Sequence, residues 1–122
     1  MEKTNEEYSL LYDFYGELLS WRQREVFSLY YEENLSLSEI AENIGISRQA
    51  VHITLGKANR DLETYEKNLR LIEKHAVFEK QLEEILRRMD AILKDKERVA
   101  GIDPDTVKDL KRVKKLIKGI EI

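Results

Sequence analysis

Ser36-Leu37-Ser38-Glu39-Ile40-Ala41-Glu42-Asn43-Ile44-Gly45-Ile46-Ser47-Arg48-Gln49-Ala50-Val51 is the stretch that decides the fold of this chain. Ser36 and Glu39 have the spacing of a capping box, in which the serine accepts from a free backbone N–H and the glutamate reaches back to another. A short apolar helix follows through Ile40, Ala41 and Ile44. Gly45 then supplies the positive-φ stop that a helix C-terminus prefers. Ile46 tucks inward, and Ser47 caps a second helix opening at Arg48. Small Ala41, then Gly45 and β-branched Val51, let two helices cross closely around a tight turn. The pattern is a helix-turn-helix, the shape that delivers its second helix to the DNA major groove.

Around this motif the composition is that of an all-α protein. The chain has 122 residues, one proline, five glycines, no cysteine and 37% charged residues, which suits long helices. Lack of cysteine excludes a disulfide framework, a cysteine-rich zinc site and a thiol nucleophile. No apolar run approaches a membrane span and the charged, aromatic N-terminus is no signal peptide, so a cytoplasmic location is expected. The net charge of −3 is unevenly spread: six Lys/Arg against thirteen Asp/Glu up to Glu66, and fifteen against eleven from Lys67 onward. DNA affinity comes largely from phosphate contacts, and the acidic half contains the motif. Between Asn43 and Arg60, however, there is no acid, while Arg48, Lys57 and Arg60 are basic.

The periodicity predicts a first helix from about Asn5 to Leu19, with Leu10, Leu11, Phe14, Tyr15 and Leu18 inward. Ser20-Trp21-Arg22-Gln23 is a second capping box, and the helix behind it carries Val26, Phe27, Tyr30 and Tyr31 before fading at Asn34. Eight of the ten aromatics lie before residue 32; their spacing marks them as core, with a stacking surface for single-stranded nucleic acid as the rarer use. From Arg48 the stripe Val51, Leu55, Ala58, Leu62, Tyr65, Leu69, Ile72 and Ala76 runs on as one helix into a coiled-coil-like extension. A second stripe, Phe78, Leu82, Ile85, Met89, Ile92 and Val99, has a different register, with a bend or change of partner near His75. Ala100-Gly101-Ile102 ends this helix, and Asp103-Pro104 caps a last one bearing Val107, Leu110, Val113, Ile117 and Ile120.

Three segments carry a resemblance. Trp21-Arg22-Gln23-Arg24-Glu25-Val26-Phe27, Leu37-Ser38-Glu39-Ile40-Ala41-Glu42 and Gly45-Ile46-Ser47-Arg48-Gln49-Ala50-Val51 together look like sigma-factor region four. With Leu10-Leu11-Tyr12-Asp13-Phe14-Tyr15 and Leu62-Glu63-Thr64-Tyr65-Glu66-Lys67, the pattern resembles the short stand-alone YlxM proteins over roughly the first two-thirds of the chain. The resemblance implies a DNA-binding regulatory protein of the bacterial cytoplasm, linked by gene neighbourhood to the signal recognition particle. His52-Ile53-Thr54-Leu55-Gly56-Lys57 departs from the more polar, more basic continuation of that pattern. Glycine inside a helix costs about 1 kcal/mol relative to alanine, so Gly56 either permits close backbone approach or marks relaxed selection on DNA contact.

With Val51 at the centre of the buried face, Gln49, Ile53, Gly56 and Arg60 fall opposite it, flanked by His52 and Lys57. Arginine can fork onto guanine, glutamine onto adenine, and an exposed isoleucine can meet a thymine methyl. The candidate DNA-binding residues are therefore Ser47, Arg48, Gln49, His52, Ile53, Lys57 and Arg60. Lys57 and Arg60 suit phosphates, and Ser47 with the free N–H groups beside it suits another. Arg22 and Arg24 are further backbone candidates. The competing reading is an adaptor for protein or RNA components of the targeting machinery, with the helix-turn-helix as scaffold. The basic residues Lys108, Lys111, Arg112, Lys114, Lys115 and Lys118 could serve RNA, an acidic protein, or only a solvated face. No nucleophile motif, phosphate loop or metal-ligand cluster appears, so no enzyme, cofactor or metal is expected. The expected organisation is a winged-helix-like, region-four-like domain over residues 1–62 and a helical extension over residues 63–122. The extension folds as an antiparallel hairpin or, as the favoured arrangement, pairs in a homodimer.

Overall fold

The computed structural model describes residues 3–120. Among these the chain is all helical, in two compact units, Met1–Ile72 and Glu73–Ile122. The elements are α1 (Asn5–Tyr15), a 3-10 turn (Gly16–Leu18), α2 (Trp21–Phe27), a π-helical turn (Ser28–Glu32), α3 (Leu37–Ile44), α4 (Arg48–Leu69), α5 (Leu71–Lys94), α6 (Lys96–Ala100) and α7 (Pro104–Lys118). No strand, and hence no wing, is present among the described residues.

In the first unit α1, α2 and α3 all pack on α4, whose Val51, Leu55, Ala58 and Leu62 are buried. Both capping boxes form. Ser20 Oγ accepts from Gln23 N and Gln23 Oε1 from Ser20 N; Ser36 and Glu39 do the same. The first helix is shorter than its periodicity predicts. It ends at Tyr15 and tightens into the 3-10 turn, which buries Leu19 and leaves Leu18 56% exposed; Leu10 is also exposed. Gly16 belongs to this tightening, because an added Cβ would lie 2.9 Å from the Tyr12 ring.

Most of the early aromatics are core, as their spacing predicts. Tyr15 and Phe27 are buried, Tyr12 stacks on Phe27 with ring centroids 4.5 Å apart, and Tyr31 packs on the same ring at 4.4 Å. Trp21 is the exception. It is 68% exposed, with the Arg22 guanidinium 4.6 Å above its ring.

The long helix predicted from Arg48 stops earlier than expected, at Leu69, because Arg70 takes the left-handed conformation at φ 55. Arginine at that position is no stop signal in sequence; the signal is tertiary. The Glu66 carboxylate accepts from the Tyr15 hydroxyl and from Ile72 N, while the Tyr15 oxygen accepts from Leu71 N at 3.0 Å. Two otherwise orphaned N–H groups at the start of α5 are thus satisfied, that of Leu71 by Tyr15 more than fifty positions away and that of Ile72 by Glu66, which the Tyr15 hydroxyl also holds. The first unit therefore extends to Ile72, which packs partly against the core with Tyr65.

In the second unit the predicted single helix is interrupted. Asp95 accepts from Glu97 N and Arg98 N and restarts the chain as α6, before Gly101. Asp103 caps α7 by accepting from Thr106 N, with Pro104 in the first turn, as the sequence predicts. α5 and α7 run antiparallel: Lys114 pairs with Asp90, while Ile117 and Ile120 share a groove with Leu82 and Leu86. The Lys114 ammonium holds the Asp90 carboxyl below its ordinary range. No described residue of α5, α6 or α7 is fully buried.

Burial, followed by the bond to Glu66, raises the Tyr15 pKa above the ordinary value of about 10. A raised pKa favours the neutral phenol in the fold, so its contribution is complete below about pH 10 and is lost as pH rises further. Tyr15→Phe is expected to cost about 1–3 kcal/mol at neutral pH, measured by urea denaturation. The variant should also lose part of the wild-type decline in stability above pH 10.

Candidate nucleic-acid interface

The turn between α3 and α4 is built as its residues require. Gly45 sits at φ 75, and its N–H and that of Ile46 both donate to Ala41 O, at 3.0 and 3.2 Å. Ser47 Oγ accepts from Ala50 N at 3.0 Å and opens α4. With Ile40, Ala41 and Val51 buried at the crossing, the two helices cannot slide, and the start of α4 is held outward.

Further along, α4 is fastened by hydrogen bonds on both flanks. On one, buried Gln23 of α2 donates through Nε2 to Asp61 Oδ2 at 3.0 Å. On the other, Asn59 Nδ2 donates to the Tyr31 hydroxyl at 2.9 Å and the Tyr8 hydroxyl to Glu63 Oε1 at 3.0 Å. Such bonds between partly buried groups set orientation more than stability.

All seven candidate residues, Ser47, Arg48, Gln49, His52, Ile53, Lys57 and Arg60, are exposed. Ile53 is 57% exposed, a large apolar side chain facing solvent on a helix whose opposite side is core. Two shallow grooves flank this ridge. One, of about 290 Å³, is lined by Ile53, Thr54 and Lys57 of α4 and by Ser20, Arg22 and Gln23 of the α2 start, with Asp61. Arg22 reaches that groove while also pairing with Glu25 at 2.8 Å. Arg24 is exposed but does not line it. The other groove, of about 320 Å³, brings His52, Gly56 and Asn59 together with Lys3, Asn5 and Tyr30. Nothing in the spacing of Lys3, Asn5 or Tyr30 marks them in sequence; packing alone carries them to α4.

Among the described residues no cluster of His, Cys, Asp or Glu could hold a metal ion. No helix among them is long and apolar enough to cross a membrane. His52 and His75 lie in different units.

Comparison with known proteins agrees with this geometry. Residues 1–102 match the profile of the YlxM/p13-like helix-turn-helix proteins, UPF0122. The chain belongs to that family. A UPF0122 protein of Thermoanaerobacter sp. is 38% identical over 114 residues, 93% of each chain. One from Listeria monocytogenes is 37% identical over 112 residues, 92% of this chain and 97% of the relative. One from Caldanaerobacter subterraneus is 49% identical over 77 residues, 63% of this chain and 66% of its own. The family profile ends just before α7.

The turn chemistry makes a direct expectation. Gly45→Ala forces a Cβ into the left-handed region and should cost about 1–2 kcal/mol. Ser47→Ala removes a cap and should cost about 1 kcal/mol. Thermal unfolding followed by circular dichroism measures both.

Proposed function

We propose that this protein is a DNA-binding regulator that reads the major groove with Arg48, Gln49, His52 and Ile53, while Lys57, Arg60 and Ser47 hold phosphates. The observation that carries this reading is the exposed, acid-free face of α4 between Ser47 and Arg60 in an otherwise acidic unit. Amide, guanidinium and aliphatic groups on one outer face match the donors, acceptors and thymine methyl of base edges. The same face has no role in the core, because α4 is buried through Val51, Leu55, Ala58 and Leu62 instead. The protein acts without catalysis, in the bacterial cytoplasm.

A second copy completes the assembly in this reading. Val77, Phe78, Ile85, Val113 and Ile120 are exposed in the second unit and Leu116 is 62% exposed, more apolar surface than a two-helix hairpin needs to leave in water. Pairing through these helices forms a homodimer with two recognition helices, as operator-binding helix-turn-helix proteins use them.

One other reading has its own support. The acidic first unit and the cationic α7, with Lys108, Lys111, Arg112 and Lys115 exposed, suit an adaptor that contacts RNA or protein of the targeting machinery. Anisotropy titrations with genomic DNA fragments and with signal-recognition RNA over a salt series separate the two. Selective DNA binding that survives competitor supports groove reading; co-purification of a targeting component at salt that abolishes DNA binding supports the adaptor.

Arg48→Ala with Gln49→Ala should leave helicity unchanged and flatten the preference among DNA sequences by about 1–3 kcal/mol per contacted base pair. Unchanged preference in a selection experiment removes both residues from reading. Leu116→Asp should lower the sedimentation-derived mass toward that of one chain; a wild-type mass of one chain refutes the dimer.

A further inference from the structure

We propose that the groove on the α1 side of α4 seats one sugar–phosphate strand of the bound duplex, with Gly56 as its point of closest approach. The proposal rests on the DNA-reading function above and specifies how the duplex lies.

Glycine is the least favourable residue after proline in a helix interior, and Gly56 stands nine residues into α4. Other glycines of the first unit have internal reasons. Gly45 needs its positive φ, and a Cβ at Gly16 would collide with the Tyr12 ring. At Gly56 an added Cβ meets only the Arg60 Nη1, at 3.3 Å, the far end of a flexible side chain. Apart from its chain neighbours and the backbone of its own turn of helix, no other described residue comes within 4 Å of that position. The residue is thus costly to the helix and not required by its packing. Absence of a side chain also permits close approach of a ligand to the backbone.

The groove beside it has the chemistry of a phosphate wall. Lys3, Asn5, Tyr30 and His52 line it with Gly56, and among the described residues no carboxylate does. This occurs in a half of the chain where acids outnumber bases thirteen to six. Glu63, on the same flank of α4, is engaged as acceptor for the Tyr8 hydroxyl. Lysine, asparagine and tyrosine are among the residues that contact phosphate and sugar without reading sequence. A helix lying in the major groove has a phosphate strand on each side. The groove on the other flank supplies Arg22 and Lys57 for one strand; Lys3 and Asn5 supply the second. The Arg60 guanidinium lies beside Gly56.

The test uses the full chain and a fluorescent duplex of about 30 base pairs, roughly three helical turns. Variants are Gly56→Ala, Arg60→Ala, the two together, and Lys3→Gln. Gly56→Ala is expected to raise Tm by a few degrees and to weaken binding about tenfold, as an extra methyl does in a tight contact. The loss should persist in the Arg60→Ala background, since it arises from the strand and not from Arg60. Lys3→Gln should reduce the slope of log affinity against log salt by about one. Binding unaffected by Gly56→Ala, or weakened only when Arg60 is present, overturns the proposal. So does a fall in Tm for Gly56→Ala, or an unchanged salt slope for Lys3→Gln. Wild-type protein that binds no duplex refutes the DNA-reading function itself, whereas wild-type binding with silent variants refutes only this strand seat.

Discussion

Burial of one stripe of α4 is the constraint on which the first unit depends. Val51, Ala58 and Leu62 are shielded from water and Leu55 nearly so, with α1, α2 and α3 all packed against this helix. The valine and leucine side chains among these contribute about 1.5–3 kcal/mol each when fully buried, against about 1 kcal/mol for a helix cap. The stripe therefore selects the face of α4 that turns inward, and the caps only select where helices begin. A direct consequence is that Gln49, Ile53 and Arg60 are turned outward. Their exposure follows from burial of residues they do not touch.

A second constraint closes the first unit. Tyr15 and Glu66 together receive the N–H groups of Leu71 and Ile72, and Arg70 adopts a conformation that arginine rarely takes. The strain is offset by the two hydrogen bonds that the turn makes, from Leu71 N to the Tyr15 oxygen and from Ile72 N to the Glu66 carboxylate. Leaving two backbone N–H groups unpaired at a helix start costs more than a single unfavourable φ. The second unit contains no tyrosine to play this part. A cross-helix ion pair there joins Lys114 to Asp90, both partly exposed, and pairs of that kind add little stability. Its apolar side chains are left half-buried or exposed, the pattern of a surface with further area to cover.

Much of this was legible in the chain. Both capping boxes, the Gly45 stop, the Ser47 cap, the Asp103-Pro104 start and the outward face of α4 were readable because each depends on residues within one or two turns. Helix boundaries set by distant partners were not. The 3-10 turn after Tyr15 answers to the Tyr12 ring and the burial of Leu19, and the Arg70 stop to Tyr15; neither leaves a local signature. Asp95 did leave one, an aspartate able to cap the following N–H groups, but the surrounding helical periodicity outweighed it. The exposure of Trp21 also escaped periodicity, since its ring rests against Arg22 instead of the core.

Short-range hydrogen bonding and helical period thus determined by themselves that this chain is all-α, where α4 begins, and which residues that helix presents. Tertiary structure alone decided where α4 ends and which distant residues flank it. Lys3 and Asn5 reach one side and Ser20 and Arg22 the other. The physical reason is the range of the forces involved: a cap or a 3.6-residue stripe is written in neighbouring positions. A groove between helices exists only once burial has brought separated segments into contact.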